Sequence, residues 1–323
     1  MRRFGSLALT LCAGAIVGVS IFIVLRQDDV VDWWILRGYD PPAAIEQLAI
    51  DTTMTDLGQR YFYVYQPELL GRDMFRQRCT VAEKSIVLGC YVTRQGIYIF
   101  DVTDEQLTGI RQVTAAHEML HVAYERLSAD EQRRIDRLNL EVFDQLEDER
   151  VKRTIDAYRQ RDPAIVANEL HSILPTEVRE LTPELEAYYA QYFEDRLQVV
   201  AFAEQYADVF ESARDRVDSL DQQLRDKRQE IDSLEANLDT QAAVLEQDRS
   251  RLNQLLADDD ITAYNNGVDA FNRNVNIYNT LVNQLQELID RYNALVAERN
   301  QAIVAYESLT ESIDSGPPPI DPL

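Results

Sequence analysis

The spacing of apolar positions divides the chain into a mixed first part and a long helical second part. From Phe210 an apolar residue returns at every seventh position, through Val217, Leu224, Ile231, Leu238, Leu245 and Leu252. Ala213, Leu220, Lys227, Leu234, Gln241, Asp248 and Leu255 keep step with it at a second position. A sustained heptad is the pattern of a coiled coil, and the polar members Lys227, Gln241 and Asp248 would fix register or partner at some loss of stability. The run Asp258-Asp259-Asp260 interrupts the pattern, and Tyr264, Phe271, Tyr278, Leu281, Leu285, Leu288, Tyr292 and Leu295 carry a second stripe. Two helices of similar length across a short acidic turn predict an antiparallel coiled-coil hairpin over residues 200–310. Its returning arm is rich in Asn, which suits a solvated face or a strip for a protein partner or self-association. The tail at 311–323, with Pro317-Pro318-Pro319, is expected to be disordered.

Upstream, residues 43–199 read as a mainly α domain with a small β-hairpin or sheet. A helical pattern opens at Ala43, and Tyr61-Phe62-Tyr63-Val64-Tyr65 has strand composition. Ser85–Tyr91 and Gly96–Val102 predict two strands joined near Thr93-Arg94-Gln95-Gly96. Thr103-Asp104-Glu105-Gln106 and Ser128-Ala129-Asp130-Glu131 both have capping-box spacing and predict helix starts. Asp162-Pro163 reads as the N-cap and first position of a helix that ends near Leu174, before Pro175.

The N-terminus adds a third kind of segment. Arg2-Arg3 precede the uncharged, mostly apolar stretch Phe4–Leu25, which is long enough to cross a bilayer as a helix. A cleaved signal peptide would end at a small-x-small site, which Ile21–Arg26 does not offer. Positive charge before the stretch and acidic charge after it predict a signal anchor. Residues 1–26 are then a cytoplasmic tip and transmembrane helix, 27–42 a juxtamembrane linker around Tyr39-Asp40-Pro41-Pro42, and the rest is extracellular.

Charge and cysteine content narrow the function. The formal net charge is −24, which argues against nucleic acid as a partner. Cys79 and Cys90 are the two cysteines beyond the apolar stretch, and an even pair in an exported domain predicts a disulfide.

Against this background the string His117-Glu118-Met119-Leu120-His121 carries the chemistry. The chain holds only 3 His, and two of them stand four apart with a Glu between them. On a helix that spacing puts both imidazoles on one face, where they can share one zinc ion. Glu118 falls beside them, where a carboxylate can take a proton from water. A catalytic zinc needs a third protein ligand. In Asn168-Glu169-Leu170-His171 the inward stripe is Val166, Leu170 and Ile173. Glu169 lies roughly 65° from its centre and His171 roughly 130°. A carboxylate bordering a buried face is costly unless paired or metal-bound, so Glu169 is the expected ligand and His171 the alternative. His171, or one of Tyr188, Tyr189 and Tyr192, is the expected donor to an oxyanion.

His117, Glu118 and His121, with Asn168-Glu169, resemble the gluzincin group of zinc metallopeptidases. In that group an HExxH helix is completed by a Glu from a later helix. The resemblance implies that His117, His121 and Glu169 bind Zn²⁺, that Glu118 activates water, and that the domain is zincin-like. It also implies that Ile97-Tyr98-Ile99-Phe100 is an edge strand able to receive a peptide or protein substrate. The stretch between His121 and Glu169 is longer than in the thermolysin type. The expected function is therefore a membrane-anchored extracellular metallopeptidase. The alternative is a cell-envelope scaffold that acts through its coiled coil.

Overall fold

A computed structural model describes residues 27–79 and 88–316. The chain is mainly helical, with one small sheet and a long helical hairpin. It divides into two compact units, one of Met1–Val209 with Glu311–Leu323, the other of Phe210–Thr310.

The first unit runs through α1 (Gln27–Leu36), α2 (Ala43–Asp51), α3 (Asp56–Tyr63), β1 (Glu68–Leu70), α4 (Arg72–Arg78), β2 (Gly89–Val92) and β3 (Gly96–Phe100). It continues with α5 (Ile110–Glu125), α6 (Ala129–Gln145), α7 (Glu149–Arg161), α8 (Val166–Glu177), α9 (Pro183–Tyr189) and the start of α10 (Arg196–Ala257). Helix α5 is the centre of the core, with Ala115, Ala116, Met119, Leu120, Val122 and Ala123 fully enclosed. It packs against α2, α3, α8 and the strands β2 and β3. A helix covered on so many sides must be apolar nearly all round, and the polar residues it retains need another reason to be there.

The sheet order is β1-β3-β2, with β1 parallel and β2 antiparallel to β3. The predicted hairpin is present between β2 and β3, turning between Val92 and Gly96 with Arg94 at φ 63°, while residues 85–87 of the expected first strand lie outside the described residues. The third strand, Glu68–Leu70, was not foreseen, and it corrects the role of β3. Flanked on both sides and buried throughout, β3 has no free edge for a substrate strand. The edge beside α5 belongs to β2.

Other expectations are corrected by local packing. Tyr61–Tyr63 lie in a helix, because Thr55 caps α3 by accepting from the Gly58 N–H and Phe62 turns into the core. Asp104, not Thr103, caps only a short 3₁₀ turn at Glu105–Leu107. α5 itself starts after Gly109, whose φ of 100° suits glycine. Ser128–Glu131 is a capping box as predicted. Asp162 ends α7, and Pro175 lies inside α8. A proline frees the carbonyl four residues back, here that of His171, and the Tyr189 hydroxyl donates to that oxygen at 3.1 Å. Residues 27–42, read as a linker, open with the helix α1. The tail expected to be disordered over 311–323 begins in order, since Arg72 and Arg76 donate to the carbonyls of Glu311 and Ser315 at 2.6 and 2.9 Å; residues 317–323 lie outside the described residues. Cys79 and Cys90 form the expected disulfide, with Cα atoms 6.1 Å apart. The predicted membrane stretch Phe4–Leu25 lies outside the described residues. Among the described residues no helix is long and apolar enough to cross a membrane.

The second unit holds the rest of α10 and most of α11 (Ile261–Ile313). Asp221 with Arg299, Arg216 with Glu298, and Asp248 with Asn274 pair across the two arms, which makes the hairpin antiparallel. Leu220, Ile231 and Leu238 are its buried heptad residues. The polar heptad member Asp248 accepts from Asn274 Nδ2 at 2.8 Å.

Candidate metal centre

Two helices build the centre. α5 presents His117 and His121, whose ring centroids are 4.7 Å apart. α8 crosses it and brings Glu169 between them, with Oε2 3.6 Å from His117 Nε2 and Oε1 3.9 Å from His121 Nε2. One ligand atom from each residue lies within 4.8 Å of the other two. The structure thus brings together the three residues that the sequence singled out as ligands.

The donor set fits a divalent cation on three counts. The carboxylate-to-imidazole distances of 3.6 and 3.9 Å exceed a hydrogen bond and lie a little above the roughly 3.4 Å between ligands about 2.1 Å from one tetrahedral ion. Glu169 Oε2 is buried and has no hydrogen-bond partner among the described residues. Such an orphaned anionic oxygen is costly unless a cation neutralises it. Third, His121 is already oriented. Its Nδ1 lies 3.0 Å from Asn168 Oδ1 and 3.2 Å from Ser172 Oγ, and the Ser172 hydroxyl donates to the Asn168 carbonyl. Two acceptors at Nδ1 place the proton there and leave the Nε2 lone pair turned toward Glu169. Burial pushes the Glu169 carboxyl up, but His117 and His121 outweigh it and hold it below the usual carboxylate value.

Glu118 is 4% exposed and faces β2. A Cβ at Gly89 would lie 2.6 Å from its Oε1 and 2.5 Å from Thr114 Cγ2, so only glycine lets this strand approach the carboxylate. β2 is pinned to the end of the same helix, since Tyr91 and Thr93 donate to the Glu125 carboxylate at 2.7 and 2.8 Å. The disulfide holds the strand from its other side at Cys90.

His171 is elsewhere. It has no exposed surface, and its Nε2 lies 2.8 Å from the Tyr188 hydroxyl among the rings of Tyr124, Tyr188 and Tyr189. Burial pulls its pKa down to about 3, so the ring is neutral. It is neither a ligand in this cluster nor placed to touch a substrate. Tyr188, Tyr189 and Tyr192 are core residues for the same reason. The helical wheel failed here because α8 is covered by α5, α6 and α7 together, so a position 130° from the apolar stripe is still inside.

Sequence reasoning missed Ser172 and Gly89. Ser172 stands one turn after Asn168 and was legible in principle. Gly89 was not, because its role depends on the register of β2 against α5. Compared with models of known protein families, with curated proteins and with solved structures, the chain matches none of them.

Proposed function

We propose that the chain is a membrane-anchored zinc metallopeptidase of gluzincin type, with an extracellular catalytic domain of zincin-like fold. The observation that carries this reading is the convergence of His117, His121 and Glu169 around one point, with Glu118 on the next position of the same helix. Zinc at this point would supply Lewis acidity toward a carbonyl oxygen and toward water.

The protein residues supply the rest. Asn168 and Ser172 fix the tautomer and orientation of His121, which keeps the site organised before any substrate arrives. Glu118, nearly enclosed, takes a proton from the attacking water and delivers it to the leaving amine. Its burial keeps bulk water from competing for that proton. β2 offers an edge along which an extended peptide can add as a strand, and Gly89 lets β2 itself lie directly against Glu118.

The test is hydrolysis of a peptide library by the full chain, wild type against Glu118→Gln. The reading predicts hydrolysis that a chelator abolishes and zinc restores, and a loss of roughly 10²–10⁴-fold in the variant with its zinc retained. Zinc binding without any hydrolysis would favour a structural metal site. The coiled coil would then be the working part.

A further inference from the structure

The first helix of the described chain is inverted. On α1, Asp32 is 1% exposed, whereas Trp33 and Trp34 are 61% and 74% exposed and Val30 and Val31 are 41% and 54% exposed. An amphipathic helix on a water-facing surface has the opposite arrangement, with its carboxylates out and its indoles in.

The inward side is held by ion pairs. Arg126, which ends α5, grips both oxygens of Asp32 at 2.6 and 2.9 Å. Arg60 reaches Asp32 at 3.7 Å and Asp29 at 3.0 Å. The Arg126 guanidinium also sits 4.5 Å from the centre of the Tyr61 ring. α1 is therefore clamped by its acids to the helix that carries the HExxH motif. Val30, Trp33 and Trp34 are left exposed.

The sequence says what lies beside these side chains. α1 begins one residue after Arg26, where the uncharged stretch Phe4–Leu25 ends. Trp is the side chain that prefers the boundary between acyl chains and headgroups, with its ring in the apolar zone and its N–H in the wet one. Arg37, whose guanidinium lies 5.6 Å from the Trp33 ring centre, brings a cation to the same face, of the kind that pairs with lipid phosphates. We infer that Val30, Trp33 and Trp34 form a foot seated in the interface of the bilayer that Phe4–Leu25 enters. Because the Asp32–Arg126 clamp joins this foot to α5, it sets the orientation of the metal centre to the membrane. This inference rests on the membrane-anchor part of the proposed function.

The chain provides its own probe, since Trp33 and Trp34 are its only 2 tryptophans. The full chain is reconstituted into vesicles of phosphatidylcholine and phosphatidylglycerol brominated either near the headgroup or near the acyl end. Retention after alkaline extraction is measured alongside tryptophan emission. The expected result is a retained chain that loses most of its emission to the shallow bromines, less to the deep ones, and is protected from aqueous acrylamide. A retained chain whose tryptophans ignore both lipids and are quenched by acrylamide overturns the foot while leaving the anchor intact. Retention with protection from acrylamide but no lipid quenching overturns it too, in favour of a protein contact. A chain released by alkali with unquenched tryptophans removes the anchor reading, and the foot with it.

Discussion

At the scale of single residues, the site depends on side chains that are absent as much as on those present. Gly89 is the clearest case, because a methyl group there would sit 2.6 Å from Glu118 Oε1 and 2.5 Å from Thr114 Cγ2. Thr114 cannot yield by rotating a long side chain, so either β2 or Glu118 must move. A displacement of about 1 Å at a catalytic group can cost about 10²-fold in rate. Gly89→Ala is accordingly expected to lower kcat/KM by about that factor while zinc content stays at the wild-type value. Unchanged turnover would show that Glu118 is not confined by β2. The two histidines of the candidate metal cluster were legible because their spacing is local, four apart on one helix. Glu169 was legible from its position at the border of an apolar stripe. The fate of His171 was not, since it is decided by three helices and a tyrosine cluster distant in sequence.

At the scale of elements, the sequence was readable where one segment determines its own structure. The heptads of α10 and α11, the β2–β3 hairpin and the Ser128 capping box all formed as their local patterns predict. The failures arose where a distant group took over. Pro175 should end a helix at a cost of about 3 kcal/mol, yet α8 continues because the Tyr189 hydroxyl satisfies the carbonyl that the proline leaves free. β1 is only three residues long and parallel to its partner, so no turn or alternation announces it. α1 looked like a linker because its acids Asp29 and Asp32 find their partners on α3 and at the end of α5. In the hairpin, Asp248 and Asn274 form a similar long-range pair that fixes register. Asn274→Ala leaves the carboxylate half-buried and unsupported, and should destabilise the hairpin by about 1–3 kcal/mol. Replacing both residues by Leu should restore stability or raise it. Equal melting of the single variant and the wild type, followed by circular dichroism, would argue against a register role for the pair.

At the scale of the whole molecule, the two units carry different parts of the account. His117, His121 and Glu169 all belong to the first unit. A ligand that binds only the native state stabilises the unit that holds it, by about 2.7 kcal/mol at a hundredfold excess over Kd. Calorimetry of the full chain with and without zinc should therefore show one transition moving upward by several degrees while the transition of the hairpin stays in place. If both transitions moved together, the units would be energetically coupled. Whether these three side chains hold one zinc ion is decided by elemental analysis of the purified chain. One zinc per chain is expected in the wild type, with loss of that zinc in Glu169→Ala and full retention in His171→Phe. Folded wild-type protein without zinc, never exposed to chelator, or zinc that survives Glu169→Ala, would contradict it.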